Sequence, residues 1–193
     1  RQEYKKLLEY FKSRCIMIDT SGWNTNEYTG LSECFKKYPN QIFCVLLPQS
    51  IHCYRGTIED YIVCDFESLD YYDDNLTLDE LRNYMIKSKK KTESFAQYSE
   101  FFDFYQKEIN KNTVIKEESN NISFGVDGFG FYNYLPKRLL SKNDVYPLKK
   151  IPFEDTEFWA PNNPQKYLEF VYGDYKIPNI FAVSPHYNTI YYN

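Results

Sequence analysis

Short apolar runs of strand length alternate in this chain with segments whose apolar residues recur at helical spacing, and that alternation restricts the fold more than any other feature. Residues 42–47, bounded by Pro48, and residues 61–66 read as buried strands. Residues 122–126 read as a further strand, and 15–18 is a brief apolar run that stops at Asp19. Between them, Tyr4, Leu7, Leu8 and Phe11 mark an amphipathic helix over 2–13, and a second helix is expected over 31–38, closed by Pro39 and Asn40. Thr77 and Glu80 form a capping box at the start of the next helix, whose core face is Leu78, Leu81, Tyr84, Met85 and Ile86. After a break near 88–92, Phe95, Tyr98, Phe101, Phe102 and Tyr105 supply another helix face, and the polar stretch 110–121 reads as a loop. Strands separated by helices predict an α/β (α+β) domain, a mixed β-sheet flanked by helices. A chain of 193 residues is long enough to close one core without metal or disulfide staples, so 1–193 reads as a single domain. It begins at Arg1 without an initiator Met, which suggests a domain excised from a longer chain whose upstream part could carry a membrane anchor.

Charge narrows the partners. A net charge of −4 and a pI near 5.3 argue against a nucleic acid held by phosphate neutralisation. The one lysine run, Lys87 with Lys89, Lys90 and Lys91, reads as a solvated helix face. No stretch approaches the ~18 consecutive apolar residues that span a bilayer. The 20 Tyr and 15 Phe suit sugar-facing clefts and half-wet cores alike, and AT-rich coding would produce them too, so they do not decide function. Five cysteines, Cys15, Cys34, Cys44, Cys53 and Cys64, lack any C-x-x-C pair and fit no zinc pattern. An oxidising compartment would pair two or four of them, and a reducing one would leave buried thiols. The sequons at Asn75 and Asn121 lean toward the secretory pathway.

The C-terminal third has the most specific local chemistry. From Pro147 to Ala160 short apolar pieces alternate with prolines, as in an extended segment or hairpin. Asn163 is a suitable N-cap, Pro164 is preset for the first helical position, and Tyr167, Leu168, Val171 and Tyr172 recur at helical spacing before Gly173 ends the run. With Pro147, Leu148, Phe153, Pro161, Tyr167, Leu168, Tyr172, Gly173, Asp174, Tyr175 and Pro178 in register, residues 144–178 resemble the C-terminal part of the LicD/fukutin family. The resemblance is thinner over 124–134 and says little about 1–60. It implies a nucleotidyltransferase-like fold and transfer of a phospho-alcohol, such as phosphocholine or ribitol phosphate, from a CDP-linked donor to a glycan. A secretory location, in the Golgi or the ER lumen, goes with that activity.

Phosphoryl-type transfer needs charge compensation, usually a divalent metal held by carboxylates. Side chains at i and i+2 of a strand share a face, so Asp65 and Glu67 at the end of 61–66 can grip one ion together. The resemblance implies a D-x-D at a comparable place, with Glu67 departing from the second Asp, and a later acid that Asp127 matches. The expected site is therefore Asp65, Glu67 and Asp127 around Mg²⁺ or Mn²⁺, with one carboxylate deprotonating the acceptor hydroxyl. Arg55 is a candidate for the donor phosphate. Plainer roles stand beside these. Asp65 and Glu67 are also compatible with a solvated strand end, Asp127-Gly128 with a turn, and Asp174 with a turn or cap. Asp70, Asp73 and Asp74 read as a solvated loop cluster, and His52 as a residue satisfied locally. The imperfect D-x-E and the weak glycine lead-in around Gly56 keep open a non-catalytic member that serves as a binding or partner module. A D-x-E also serves glycosyltransferases that use sugar nucleotides.

Overall fold

Among the described residues the alternating pattern resolves into helices and three sheets rather than one. The computed structural model describes residues 2–24, 29–111, 119–129 and 135–176. The first sheet has the order β1 (Ile16–Asp19), β2 (Phe43–Leu46), β3 (Ser50–Gly56), β4 (Tyr61–Glu67), with β1 parallel to β2 and the other pairs antiparallel. The second is antiparallel, β5 (Leu69–Tyr72), β6 (Asn121–Phe124) and β7 (Leu140–Ser141). The third is the hairpin β8 (Lys149–Phe153) and β9 (Thr156–Ala160). The helices are α1 (Gln2–Arg14), α2 (Thr29–Lys37), α3 (Leu78–Thr92), α4 (Tyr98–Lys111), the single turn α5 (Lys142–Val145) and α6 (Pro164–Tyr172). The domain is thus α+β, with mixed and antiparallel sheets.

Strand alternation sorts the first sheet into two faces. One face carries Ile16, Ile18, Phe43, Val45, Tyr54 and Val63 against Leu31, Cys34 and Phe35 of α2 and Tyr98, Phe101 and Tyr105 of α4. The other carries Met17, Cys44, Cys53 and Cys64 in one row across all four strands, with Phe66 meeting Phe11 of α1 at 5.1 Å between ring centroids. A second core lies under β5–β7, where Tyr72, Ile122, Phe124 and Leu140 meet Leu81 and Met85 of α3 and Phe170 of α6. Helix α4 reaches both cores, because Tyr105 belongs to the first and Ile109 packs on the second.

Two strands carry no clear apolar signal. β3 holds Ser50, His52 and Arg55, and β5 is interrupted by Asp70, so tertiary pairing overrides weak local propensity. The expectation of a buried strand over 61–66 needs correction. β4 is the edge of its sheet, and Ile62 is 76 % exposed. The expected helix break near 88–92 falls a few residues later, since α3 continues to Thr92. Most of the loop expected over 110–121, residues 130–134 of the thinner resemblance, Pro178 and the tail beyond it lie outside the described residues.

Candidate functional site

The edge strand β4 ends in the two acids singled out from sequence. Asp65 and Glu67 lie on one face and are exposed, opposite His52 and Ser50 of β3 respectively. Asp65 Oδ1 is 3.5 Å from His52 Nδ1, His52 Nε2 is 2.8 Å from Ser50 Oγ, and Tyr54 Oη is 3.3 Å from Nδ1. The order hydroxyl, imidazole, carboxylate is that of a nucleophile relay. However, Ser50 is 0 % exposed, so its hydroxyl cannot be reached by a substrate, and the imidazole Nδ1 is shared between the Tyr54 hydroxyl and the Asp65 carboxylate. The local role expected of His52 is therefore its role in the sheet. Arg55 is exposed on the opposite face from His52 and Asp65, by the alternation of β3, and is not brought to the acids.

Asp127 sits in the 3-10 turn Val126–Gly128 and is buried. It accepts a 2.8 Å hydrogen bond from the Ser68 hydroxyl, at the residue joining β4 to β5. The neighbouring bonds repeat the clasp: Gly125 N–H donates to the Ser68 carbonyl at 2.8 Å and Val126 N–H donates to Asp70 Oδ2 at 3.0 Å. Gly125 is required by this close approach, because a Cβ there would collide with Ser68 Oγ and Asp127 Oδ1. The turn reading of Asp127-Gly128 thus describes the local backbone. Among the described residues, no group of three or more His, Cys, Asp or Glu side chains is arranged to hold a metal ion. Asp65 and Glu67 share a face, whereas Asp127 turns into the interior on Ser68, so the described residues do not fit a three-carboxylate ion site.

Asp70 was expected in a solvated loop and is instead 1 % exposed, in β5, because the β5–β6 pairing turns its carboxylate inward to the Val126 N–H. Its charge also reaches Tyr84. Burial pushes the Tyr84 hydroxyl well above its ordinary pKa, and the acceptor Glu108, at 2.9 Å, adds to this along with the charges of Tyr105 and Asp70. Asp74 is likewise structural, accepting from the N–H groups of Asn120 and Asn121 at 2.8 and 3.1 Å. Asp73 caps its own turn by accepting from Asn75 N–H at 3.0 Å.

The C-terminal segment folds as its turn chemistry implies. Lys166 N–H donates to Asn163 Oδ1 at 3.2 Å, Pro164 opens α6, and Gly173 takes φ 74°, the left-handed region that favours glycine. Asp174 follows in the turn and is exposed. Helix α6 packs Tyr167 on the same core as Leu69, which follows Glu67 by two residues. Burial raises the Tyr167 hydroxyl pKa, and the next contribution is the Glu67 charge. On its other side α6 borders an open groove of about 390 Å³, lined by Lys137, Arg138, Glu169 and residues 173–176. Arg138 Nη1 is 2.7 Å from Glu169 Oε2. The basic side of this groove was not visible in the sequence, because Lys137, Arg138 and Lys176 come together only through the docking of Lys137 N–H on the Phe170 carbonyl at 3.1 Å.

No protein-family model, curated protein or solved structure matches this chain. Among the described residues no helix is long and apolar enough to cross a membrane.

Proposed function

We propose that this chain is a LicD/fukutin-like transferase domain, nucleotidyltransferase-like in fold, that moves a phospho-alcohol from a CDP-linked donor to a glycan. One observation carries the reading: Tyr167, in the helix that bears the family resemblance, packs on the same core as Leu69, two residues beyond Glu67, and its hydroxyl feels the Glu67 charge at the end of the acidic strand. Two segments remote in sequence thus pack on one core. In this reading Asp65, oriented by His52, takes the proton of the acceptor hydroxyl, and Glu67 and Tyr167 border the donor. Lys137, Arg138 and Lys176 are the cations nearest to α6 in its groove and suit the donor phosphates. Asp127 fixes the β4–β5 junction through Ser68. The expected Mg²⁺ or Mn²⁺ enters no step here, and Arg55 is given no role. A location in the secretory pathway agrees with Asn75, which is exposed in a turn, better than with Asn121, whose amide donates to the Asp73 carbonyl at 3.1 Å.

A second reading, a non-catalytic LicD/fukutin-like partner module in glycan assembly, is favoured by the commitment of Asp127 to Ser68 in the interior. Calorimetric titration with CDP, with and without Mn²⁺, separates the two. CDP binding that weakens in Asp65→Asn, together with lost transfer and an unchanged melting curve, supports the transferase. Absence of CDP binding under both conditions leaves the partner module.

A further inference from the structure

The first sheet arranges thiols in a line. Cys44 lies directly opposite Cys53, and Cys53 lies directly opposite Cys64, so three cysteines occupy one row on one face. Cys44 Sγ and Cys53 Sγ are 2.7 Å apart. Opposed residues of an antiparallel pair have Cα separations of about 4.5–5.5 Å, inside the range of about 4.4–6.8 Å that a disulfide spans. Both steps of the row therefore fall within the span of a disulfide. Exposure is graded along it: Cys64 is exposed on the edge strand, Cys53 is half-buried and Cys44 is buried.

We propose that this row is a thiol–disulfide relay in which Cys64 accepts oxidation from a small-molecule disulfide and passes it inward, so that a Cys44–Cys53 disulfide is the resting oxidised form. The Cys64 thiolate attacks one sulfur of the external disulfide, forming a mixed disulfide and releasing the first small thiolate. Cys53 gives up its proton to the departing small thiolate as its sulfur attacks Cys64 Sγ, forming Cys53–Cys64 and releasing the second thiol. Cys44 gives up its proton to the departing Cys64 sulfur as it attacks Cys53 Sγ, forming Cys44–Cys53 and returning Cys64 as a thiol. In the net reaction two protein thiols are oxidised and one external disulfide is reduced to two thiols, which carry the two protons the protein gives up. The product pins β2 to β3 beside the row that holds His52 and Asp65. The relay does not depend on the transferase reading.

Glutathione disulfide, added to the reduced full chain, is the probe, and tryptic mass mapping without reduction is the readout. Residues 38–55 form one tryptic peptide containing both Cys44 and Cys53, while Cys64 falls in the peptide 56–82. The expected product is peptide 38–55 lighter by two hydrogens, with Cys64 free. Cys64→Ser, a change at an exposed position, should slow its appearance by about tenfold or more, since the buried pair then lacks an accessible entry thiol. Cys44→Ala should arrest the relay as a cross-link between peptides 38–55 and 56–82. Five unmodified thiols, a final cross-link from Cys15 or Cys64 in the unaltered protein, or an undiminished rate in Cys64→Ser would each overturn the proposal.

Discussion

In the first core Phe43 stacks on Tyr54 and Phe35 meets both edge-to-face between sheet and helices, Cys44 lies on the opposite face of the sheet, and every described carboxylate from α1 to β4 is exposed. The second core, of similar apolar content, buries Asp70, Asp127 and Asp144, which are 1 %, 6 % and 6 % exposed. A buried carboxylate is tolerated only when donors replace its water, and each of these is met by an N–H, a hydroxyl or an ammonium from another segment. The acids of the second core are therefore part of the fold. Those at the end of β4 are exposed, so water can replace the donors they lose.

The sharpest way to break this contrast is to remove one acid from each side. Asp70→Ala strips the partner from the buried Val126 N–H, and should cost about 3 kcal/mol in urea unfolding. Asp65→Ala removes only a 3.5 Å contact to His52 at a largely exposed carboxylate, and should change stability by less than about 0.5 kcal/mol. Equal shifts in the two midpoints would erase the division between structural and available acids.

Glycines offer a second, smaller contrast. Gly125→Ala drives a Cβ into Ser68 Oγ and Asp127 Oδ1, and should lower stability by about 1–3 kcal/mol. Gly22→Ala, near the first core, meets nothing within 4 Å and should be neutral or stabilising by up to about 1 kcal/mol. A tolerated Gly125→Ala, seen as an unchanged melting curve, would mean that the turn does not clasp the β4–β5 junction.

These same positions explain what the sequence disclosed. Caps and helices were legible because their determinants are local: Thr77 with Glu80, and Asn163 with Pro164 and Gly173, need only their own turns. The apolar runs behind β2, β4 and β6 were legible for the same reason, but sheet membership was not, since nothing local says that the chain changes sheet at Ser68. Asp70 was misread because its neighbours Asp73 and Asp74 make a polar surface pattern, while its own donor, Val126, lies 56 residues away. The i, i+2 pairing of Asp65 and Glu67 on one face followed from strand period alone, whereas the inward turn of Asp127 depends on Ser68, which carried no signal. The cysteine row was equally hidden, because it exists only in the register of three strands.

A third structural acid can be separated by pH. Burial alone would raise the Asp144 carboxyl, but the Ser141 N–H, the Lys166 ammonium at 3.0 Å and the Ser141 hydroxyl together outweigh it and hold the group below the usual carboxylate range. A carboxyl whose folded pKa is depressed contributes its stability in full above the unfolded value of about 3.9. It loses that contribution as pH falls through the lower folded value. Asp144→Asn should therefore cost about 1–2 kcal/mol at neutral pH. Denaturant titrations at decreasing pH should then show the gap from the unaltered protein unchanged until the pH nears the unfolded carboxylate value, and closing below it. A gap that stays constant into that acid range would mean that Lys166 and Ser141 do not favour the ionised form. Ionisation of Asp144 would then not stabilise the second core, and the contrast between the two cores would rest on Asp70 and Asp127.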